Sequence, residues 1–177
     1  MDYDRIISIS NDIAIYRHGN KRIKVFINGS DFLKALEECS KTQRIKELTN
    51  INVPQIYSVG LNNNLVEIFS EFIEGETLAQ ELKGNLDNAN KIIRELIELQ
   101  TQINGNSNVL NCTHKHFSQN QTSCLNTATG LCHGELTPEN VVRTPSGRFY
   151  VLSWGSAFEG DIRLDVALTY YIILYYY

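Results

Sequence analysis

Apolar and polar residues alternate along the first part of the chain in the manner of β-strands. Short apolar runs at 6–9 and 13–15 precede the alternating segment 22–26, and Gly19 lies between the second and third of these runs. A glycine in a short connection between such runs is typical of a β-hairpin. The alternation returns at 66–73. The pattern therefore predicts several strands, at least two of them joined by a hairpin.

Two other stretches have apolar residues at helical spacing. The first is predicted to be capped by Ser30 or Asp31 and to end near Leu48. Part of its apolar face is supplied by Leu33, Leu36, Ile45 and Leu48. The second is predicted to begin at Asp87, and its apolar face contains Ile92, Leu96, Leu99 and Ile103, widened by Ile93 and Ile97. A helix with this much apolar surface is expected to lie in a core.

The composition changes after the second helix. Residues 104–130 are rich in Asn, Ser, Thr and Gln and carry few apolar residues, which predicts a long loop-like insert. Beyond it, 145–147 predicts a turn, 148–152 a strand, and Asp161 the start of a last helix.

Length and charge limit the classes of function. The chain has 177 residues, enough for one domain or for two small lobes that share a cleft. Its net charge is −4, whereas a nucleic-acid surface would be basic. The N-terminus lacks the apolar core of a signal peptide. The longest apolar run, 170–177, is far shorter than the roughly 20 residues that cross a bilayer. We therefore expect a cytoplasmic protein without a nucleic-acid or membrane partner.

The cysteines give one alternative site. Cys112, His114, His116 and Cys124 lie close together in the sequence and could hold a zinc ion. Their spacing fits no common zinc module, and the flanking segment is loop-like. Reduced thiols without a metal are the favoured interpretation for a cytoplasmic chain.

The most informative stretch for chemistry is 131–142. It contains His133-Gly134-Glu135 and, five residues after the acid, Asn140; Ser153-Trp154 follows a short strand. In phosphoryl transfer an acid accepts the proton of the attacking hydroxyl, while an Asn and a second residue beyond the next strand hold magnesium. The layout predicts a site of this type, with Glu135 as the acid.

These residues resemble the family of aminoglycoside and choline phosphotransferases, whose fold is related to that of the protein kinases. The family pattern is His-Gly-Asp-x-His-x-x-Asn, then Asp-Trp, Gly-Asp and Asp-hydrophobic-Ala; this chain matches its order and spacing over 131–170. The resemblance implies an α+β, protein-kinase-like fold of two lobes. Residues 1–78 would form a small antiparallel-sheet N-lobe with one helix and the hinge, and 79–177 a reduced helical C-lobe containing the 104–130 insert.

The resemblance also assigns ligands on the nucleotide side. Lys24 would pair with the phosphates of ATP and with a glutamate of the first helix, for which the spacing favours Glu38 over Glu37. The adenine would bond the carbonyl of Glu71 and the N–H of Ile73. A solvent-facing lysine and an ordinary strand-to-helix connection are the alternatives.

The resemblance also assigns residues to catalysis and to magnesium binding. The resemblance places His133 and Glu135 in the catalytic loop, and it makes Asn140 and Ser153 the ligands of magnesium. Asp165 would brace the loop by hydrogen bonds. The acceptor would be a small-molecule alcohol.

Several positions depart from the family pattern. Glu135 replaces Asp and moves the base by about 1 Å, a displacement that can cost about 10²-fold in rate. Ser153 replaces the Asp that binds magnesium, and Thr137 replaces the second His. The segment 8–12, where the family has a glycine-rich phosphate loop, has no glycine.

The helices that shape the acceptor site in the family are absent from 104–130. We therefore expect a degenerate, truncated phosphotransferase with weak or lost activity. A working kinase, a pseudokinase that binds a nucleotide or a protein, and a non-functional remnant remain alternatives. The apolar face at 170–177 is expected to be an association surface or to have lost its cover.

Overall fold

The computed structural model describes residues 4–10, 12–27, 32–84, 86–110 and 128–176. The first part is a five-stranded antiparallel sheet in the order β1-β2-β3-β5-β4, with helix α1 inserted between β3 and β4. The elements are β1 (Arg5–Ile9), β2 (Ile13–His18), β3 (Lys21–Phe26), α1 (Phe32–Leu48), β4 (Ile56–Asn62) and β5 (Leu65–Glu71). The expected capping residues Ser30 and Asp31 lie outside the described residues.

Turn chemistry fixes the register of the hairpins. Asn63 and Asn64 join β4 to β5 and both have positive φ, 49° and 65°. A two-residue hairpin turn with left-handed backbone at both positions favours Gly, which has no Cβ to clash, and Asn, whose short polar side chain tolerates this conformation. Gly19, at φ +58°, serves the same purpose between β2 and β3.

The apolar face predicted for α1 is confirmed at Ile45, which is fully buried, and wrong at the other three residues. Leu33 is 72% exposed and Leu48 55%, and Leu36 is also exposed. The buried face consists of Ala35, Glu38, Lys41, Thr42 and Ile45. A helix can bury such polar residues only where they find partners, and α1 finds them in the sheet and in the second half of the chain.

The second half forms a mainly helical lobe with two small sheets. Its helices are α2 (Leu78–Gly84), α3 (Ala89–Asn104) and α4 (Ile162–Tyr176), and a 3-10 turn (Leu86–Asn88) precedes α3. Its strands are β6 (Glu76–Thr77), β7 (Thr129–Cys132), β8 (Val141–Arg143), β9 (Phe149–Val151) and β10 (Phe158–Asp161), in the orders β6-β8-β9 and β10-β7. Two further 3-10 turns cover Pro138–Asn140 and Trp154–Ser156.

Helix α3 confirms the prediction of a core helix. Its residues at four- and three-residue spacing, Ile92, Leu96, Leu99 and Ile103, are buried in the main core with Leu131, Leu136, Val141, Val151 and Trp154. The predicted widening of this face is wrong at Ile97, which is 54% exposed. Asp87 lies in the 3-10 turn rather than in the helix.

The predicted loop at 104–130 is only partly described. Val109 and Leu110 are buried, and residues from Thr129 form β7, which pairs with β10. Residues 111–127 lie outside the described part, and so do Cys112, His114, His116 and Cys124 of the zinc alternative.

Helix α4 leaves one face open. Tyr170, Tyr171, Leu174 and Tyr175 are each more than half exposed, whereas Ile173 packs against the core. In the described ranges, no helix is long and apolar enough to cross a bilayer.

Candidate functional site

A buried ion pair joins the sheet to α1. Lys24 Nζ lies 2.6 Å from Glu38 Oε2, and the two side chains are only 8% and 10% exposed. Because side chains alternate along a strand, Ile23 and Val25 point into a hydrophobic cluster with Ala14 on the other face of β3. Glu37 is exposed, so of the two candidate glutamates Glu38 makes this contact.

Another buried lysine, Lys41 of α1, was missed from the sequence. Lys41 Nζ donates to the carbonyl of Gly155 at 2.8 Å and so ties α1 to the turn that follows Ser153. The turn approaches α1 closely, since a Cβ on Gly155 would lie 3.2 Å from Glu38 Oε2. The available signal was the three-residue spacing of Glu38 and Lys41, which places them on one helix face.

His133 lies behind the catalytic-type loop, fully buried against Trp154 at 4.5 Å between ring centres. Its Nε2 donates to the carbonyl of Leu152 at 2.9 Å, and its Nδ1 accepts the N–H of Glu135 at 3.2 Å. Burial lowers the pKa of His133, although the bond to the Leu152 carbonyl opposes this. A neutral imidazole satisfies both bonds. The side chain therefore positions the loop, and direct contact with a substrate is incompatible with its burial.

Asp165 braces the same loop from α4. It accepts the backbone N–H of His133 at 3.2 Å and that of Gly134 at 2.8 Å. Two side chains of α3 also donate to it, Asn104 at 2.9 Å and Gln100 at 3.3 Å. The two α3 residues were missed from the sequence, although they stand four residues apart on one helix face.

Glycine is required at position 134. Gly134 has φ +79°, and a Cβ there would lie 2.5 Å from the carbonyl oxygen of Ser156. The His-Gly pair of the motif thus has a steric basis in the packing of this loop on the 154–156 turn.

The two polar residues at the front of the loop are held through the backbone. The side chain of Glu135 is exposed, and its carbonyl accepts the Nδ2 of Asn140 at 3.0 Å. This bond leaves the amide oxygen of Asn140 available for a ligand.

The residues present do not fit the magnesium site implied by the resemblance. Asn140 and Ser153 offer neutral oxygens only, whereas magnesium on a triphosphate prefers carboxylates. The nearby Glu159 accepts the N–H groups of Val109 and Leu110, and Asp161 pairs with Arg163. Throughout the described residues, no group of three or more His, Cys, Asp and Glu could hold a metal ion.

A cavity of about 240 Å³ lies between the sheet and the second lobe. Ile73, Val142 and Leu152 give it apolar walls. Glu71, at the end of β5, uses its N–H to bond the carbonyl of Gln55 at 2.8 Å.

Three arginines also line the cavity, and the sequence reasoning missed them. They are Arg5, Arg17 and Arg22. Arg17 forms an ion pair with Glu74 and lies over the ring of Phe72. The available signal for Arg22 was its position two residues before Lys24, on the same face of β3.

The turn between β1 and β2 closes on itself. Ser10 N–H and its hydroxyl both donate to the carbonyl of Ile13, and the N–H of Ile13 donates back to the Ser10 oxygen at 3.2 Å. Asn11 lies outside the described residues.

Two solved structures are similar to this chain in fold. The chain matches 94% of its length to 77% of a solved aminoglycoside-3'-phosphotransferase of type VIII, at 13% identity and a TM-score of 0.56. It also matches 89% of its length to 33% of the WbdD structure, at 11% identity and a TM-score of 0.51. The fold is kinase-like.

Sequence comparison points in the same direction. A probable serine/threonine-protein kinase of Clostridium acetobutylicum is 29% identical over 134 residues, which are 75% of this chain. The chain spans only 17% of the length of that relative. No protein-family profile matches. Together the comparisons support a kinase-like fold.

Proposed function

We propose that this chain binds a nucleotide, ATP by resemblance, in the cleft between an N-lobe with hinge (1–78) and a reduced C-lobe (79–177). Transfer of phosphate to a small-molecule hydroxyl is weak or lost. The observation that carries the proposal is the buried Lys24–Glu38 ion pair at 2.6 Å. Two charges are removed from water only at a considerable cost, and a phosphate beside Lys24 gives this arrangement a use.

Each side of the cleft has its part in nucleotide binding. Lys24 would neutralise the phosphates, and the Ile73 N–H and Glu71 carbonyl would hold the base. Val142 and Leu152 would pack against its ring. Glu135, exposed at the front of the loop, would accept the proton of the attacking hydroxyl.

Two features slow this chemistry. The extra methylene of Glu135 displaces the base by about 1 Å, at a cost of about 10²-fold. Ser153 leaves the developing charge of the transferring phosphoryl group without an anionic metal ligand, and such electrostatic stabilisation is usually the largest contribution to catalysis.

A second candidate is nucleotide binding with no transfer at all, as in a pseudokinase. It is favoured by the engagement of Glu159 and Asp161 in other hydrogen bonds, because neither carboxylate is free to replace the missing ligand. The proposed setting for either candidate is the cytoplasm, without nucleic-acid or membrane partners. The exposed face of α4 is a proposed association surface.

Thermal unfolding with ATP, with and without magnesium, tests nucleotide binding. At a hundredfold excess over the Kd, binding to the folded state adds about 2.7 kcal/mol, which raises the Tm of a chain of this size by about 5–10 °C. The control is the double variant Lys24→Met/Glu38→Met, which removes both charges and leaves no buried partner unpaired. We expect it to fold and to lose the shift. Equal shifts in both proteins would overturn the role of Lys24.

ATP turnover separates the two candidates. The comparison is between the native chain and the double variant Glu135→Asp/Ser153→Asp, which restores both carboxylates of the family pattern. We expect turnover to rise by at least about 10²-fold if the transfer machinery is otherwise intact. A native chain that already matches the double variant would contradict weakened activity, and a double variant without turnover would favour the second candidate.

A further inference from the structure

Arg22 places a positive charge where the base of a nucleotide would lie. Arg22 pairs with Ser70 of β5, and Ser70 directly precedes Glu71 of the hinge. The half-buried side chain of Arg22 lines the cavity. Within the part of the chain that the structure describes, the Arg22 guanidinium has no carboxylate at ion-pair distance. Glu38, the carboxylate whose charge reaches it, is bonded to Lys24 at 2.6 Å.

The rest of the cavity does not neutralise this charge. Glu74 is the acidic residue among the described lining residues, and it already pairs with Arg17. Burial lowers the pKa of Arg22 because it disfavours the charged form, and the charge of Glu38 opposes this effect. An arginine nevertheless stays protonated in proteins. Its five N–H groups are donors only, so a bound ligand must offer acceptors.

This requirement discriminates between purines. Adenine also offers N7 as an acceptor, but its amino group at carbon 6 would meet the second N–H of the guanidinium donor to donor. Guanine and hypoxanthine carry a carbonyl oxygen at that position, beside the acceptor N7. An arginine bonds this pair of acceptors with two parallel N–H groups, the commonest specific contact of arginine with a guanine base.

We propose that Arg22 selects a 6-oxopurine nucleotide, with guanine or hypoxanthine as its base, over an adenine nucleotide. The inference rests on the proposed function, because it takes the base to lie beside Ile73 of the hinge, which lines the same cavity as Arg22. The ligand of the cleft would then be a guanine or hypoxanthine nucleotide, whereas the resemblance implies ATP.

The experiment is calorimetric titration of the whole chain with GTP, ITP and ATP, without added metal. We expect GTP and ITP to bind about ten- to a hundredfold more tightly than ATP. The variant Arg22→Met keeps an apolar stem and removes the donors, and we expect it to lose this preference. The control Arg5→Met removes a charge from the same cavity and should weaken all three nucleotides equally.

Each other outcome has a separate meaning. ATP binding as tightly as GTP, or a GTP preference that survives in Arg22→Met, overturns the inference and leaves nucleotide binding intact. Binding of GTP without ITP also overturns it, because the 2-amino group would then be the feature recognised. Failure of all three nucleotides to bind overturns the proposed function as well. Should Arg22→Met not fold, Arg22→Lys keeps the charge without the planar fork and is expected to reduce the preference in the same direction.

Discussion

The back and the front of the catalytic-type loop differ in how strongly folding constrains them. The back is a bracing cluster of Gln100, Asn104, His133 and Asp165, all buried except the half-buried Asn104. Asp165 accepts bonds from the side chains of Gln100 and Asn104 and from the backbone N–H of His133. The front is an open face made of Glu135, Asn140 and Ser153, whose side chains are exposed or half-buried. The departures from the phosphotransferase pattern at Glu135 and Ser153 both lie on the open face.

The physical reason is the cost of an unsatisfied buried group. Removing one partner inside the bracing cluster leaves a donor or an acceptor without water, at about 1–3 kcal/mol for each group. A change on the open face alters what a ligand meets and leaves the backbone bonds in place. Retention of the kinase-like framework is therefore weak evidence for retained chemistry.

The largest expected effect is that of Asp165→Ala. The variant strands two backbone N–H groups, of His133 and Gly134. It also removes one acceptor from each of two α3 side chains, although their amides keep bonds to Thr169 and Leu131. We expect the free energy of unfolding to fall by about 3 kcal/mol or more, measured by urea denaturation. Glu98→Ala, at an exposed carboxylate of α3, is the matched control, and it should leave the urea midpoint close to that of the wild type. A change below about 1 kcal/mol in Asp165→Ala would contradict the bracing role.

A smaller loss of folding stability is expected at acidic pH, through His133. Burial lowers the pKa of folded His133 below its ordinary value near 6.5. Between these two values the unfolded chain binds a proton that the folded chain does not, so this contribution to stability is complete above about pH 6.5. It is lost as pH falls, by up to about 1.4 kcal/mol for each pH unit.

Urea denaturation between pH 7.5 and 5 measures this loss. His133→Gln should show a shallower decline than the wild type. The mechanism is specific: a second proton on His133 Nδ1 would face the N–H of Glu135, which now donates to it. Parallel declines in the wild type and His133→Gln would exclude His133 as the titrating group.

Local patterns predicted the elements that depend on local physics. The apolar spacing of Ile92, Leu96 and Ile103 predicted the buried face of α3 correctly, and the strand alternation predicted the sheet. The fold class followed from the motif at 131–142 and is shown by the comparisons.

The failures share one cause, contacts between residues distant in sequence. The buried face of α1 contains Lys41 because its acceptor is the carbonyl of Gly155, 114 residues later. No periodicity within a helix can reveal such a partner. The β7–β10 pairing and the arginines of the cavity were missed for the same reason. The roles assigned to Glu135, Asn140 and Ser153 stay predictions.

Ser153 is expected to give a smaller, stabilising change. Its backbone is left-handed, with φ 62° and ψ 59°, a conformation that costs a non-glycine residue about 1–2 kcal/mol. Ser153→Gly should therefore raise the free energy of unfolding by about 1 kcal/mol, measured by urea denaturation. Ser156→Gly in the same turn is the control, because that residue has no positive φ to relieve.

The same backbone bears on the activity test. Asp and Asn tolerate the left-handed region better than Ser, so Ser153→Asp should fold at least as well as the wild type. Loss of stability in both Ser153→Gly and Ser153→Asp would contradict the strained backbone at this position.

The smallest expected effect on stability is that of Glu135→Gln. Its side chain is exposed, while its N–H and carbonyl make the structural bonds to His133 and Asn140, and substitution leaves both bonds in place. We expect a change within about 0.5 kcal/mol. Any transfer activity of the native chain should nevertheless fall, because an amide cannot accept the proton of the attacking hydroxyl.

Asn140→Ala is the companion variant, since it removes the bond to the Glu135 carbonyl and should cost about 0.5–1.5 kcal/mol. The two variants test different roles on the open face. Asn140→Ala tests the bond that holds the loop, and Glu135→Gln tests the carboxylate proposed as the base. If Glu135→Gln destabilises the chain as much as Asn140→Ala does, the Glu135 carboxylate has a structural partner. The contrast between a constrained back and a free front would then fail at the residue proposed as the base.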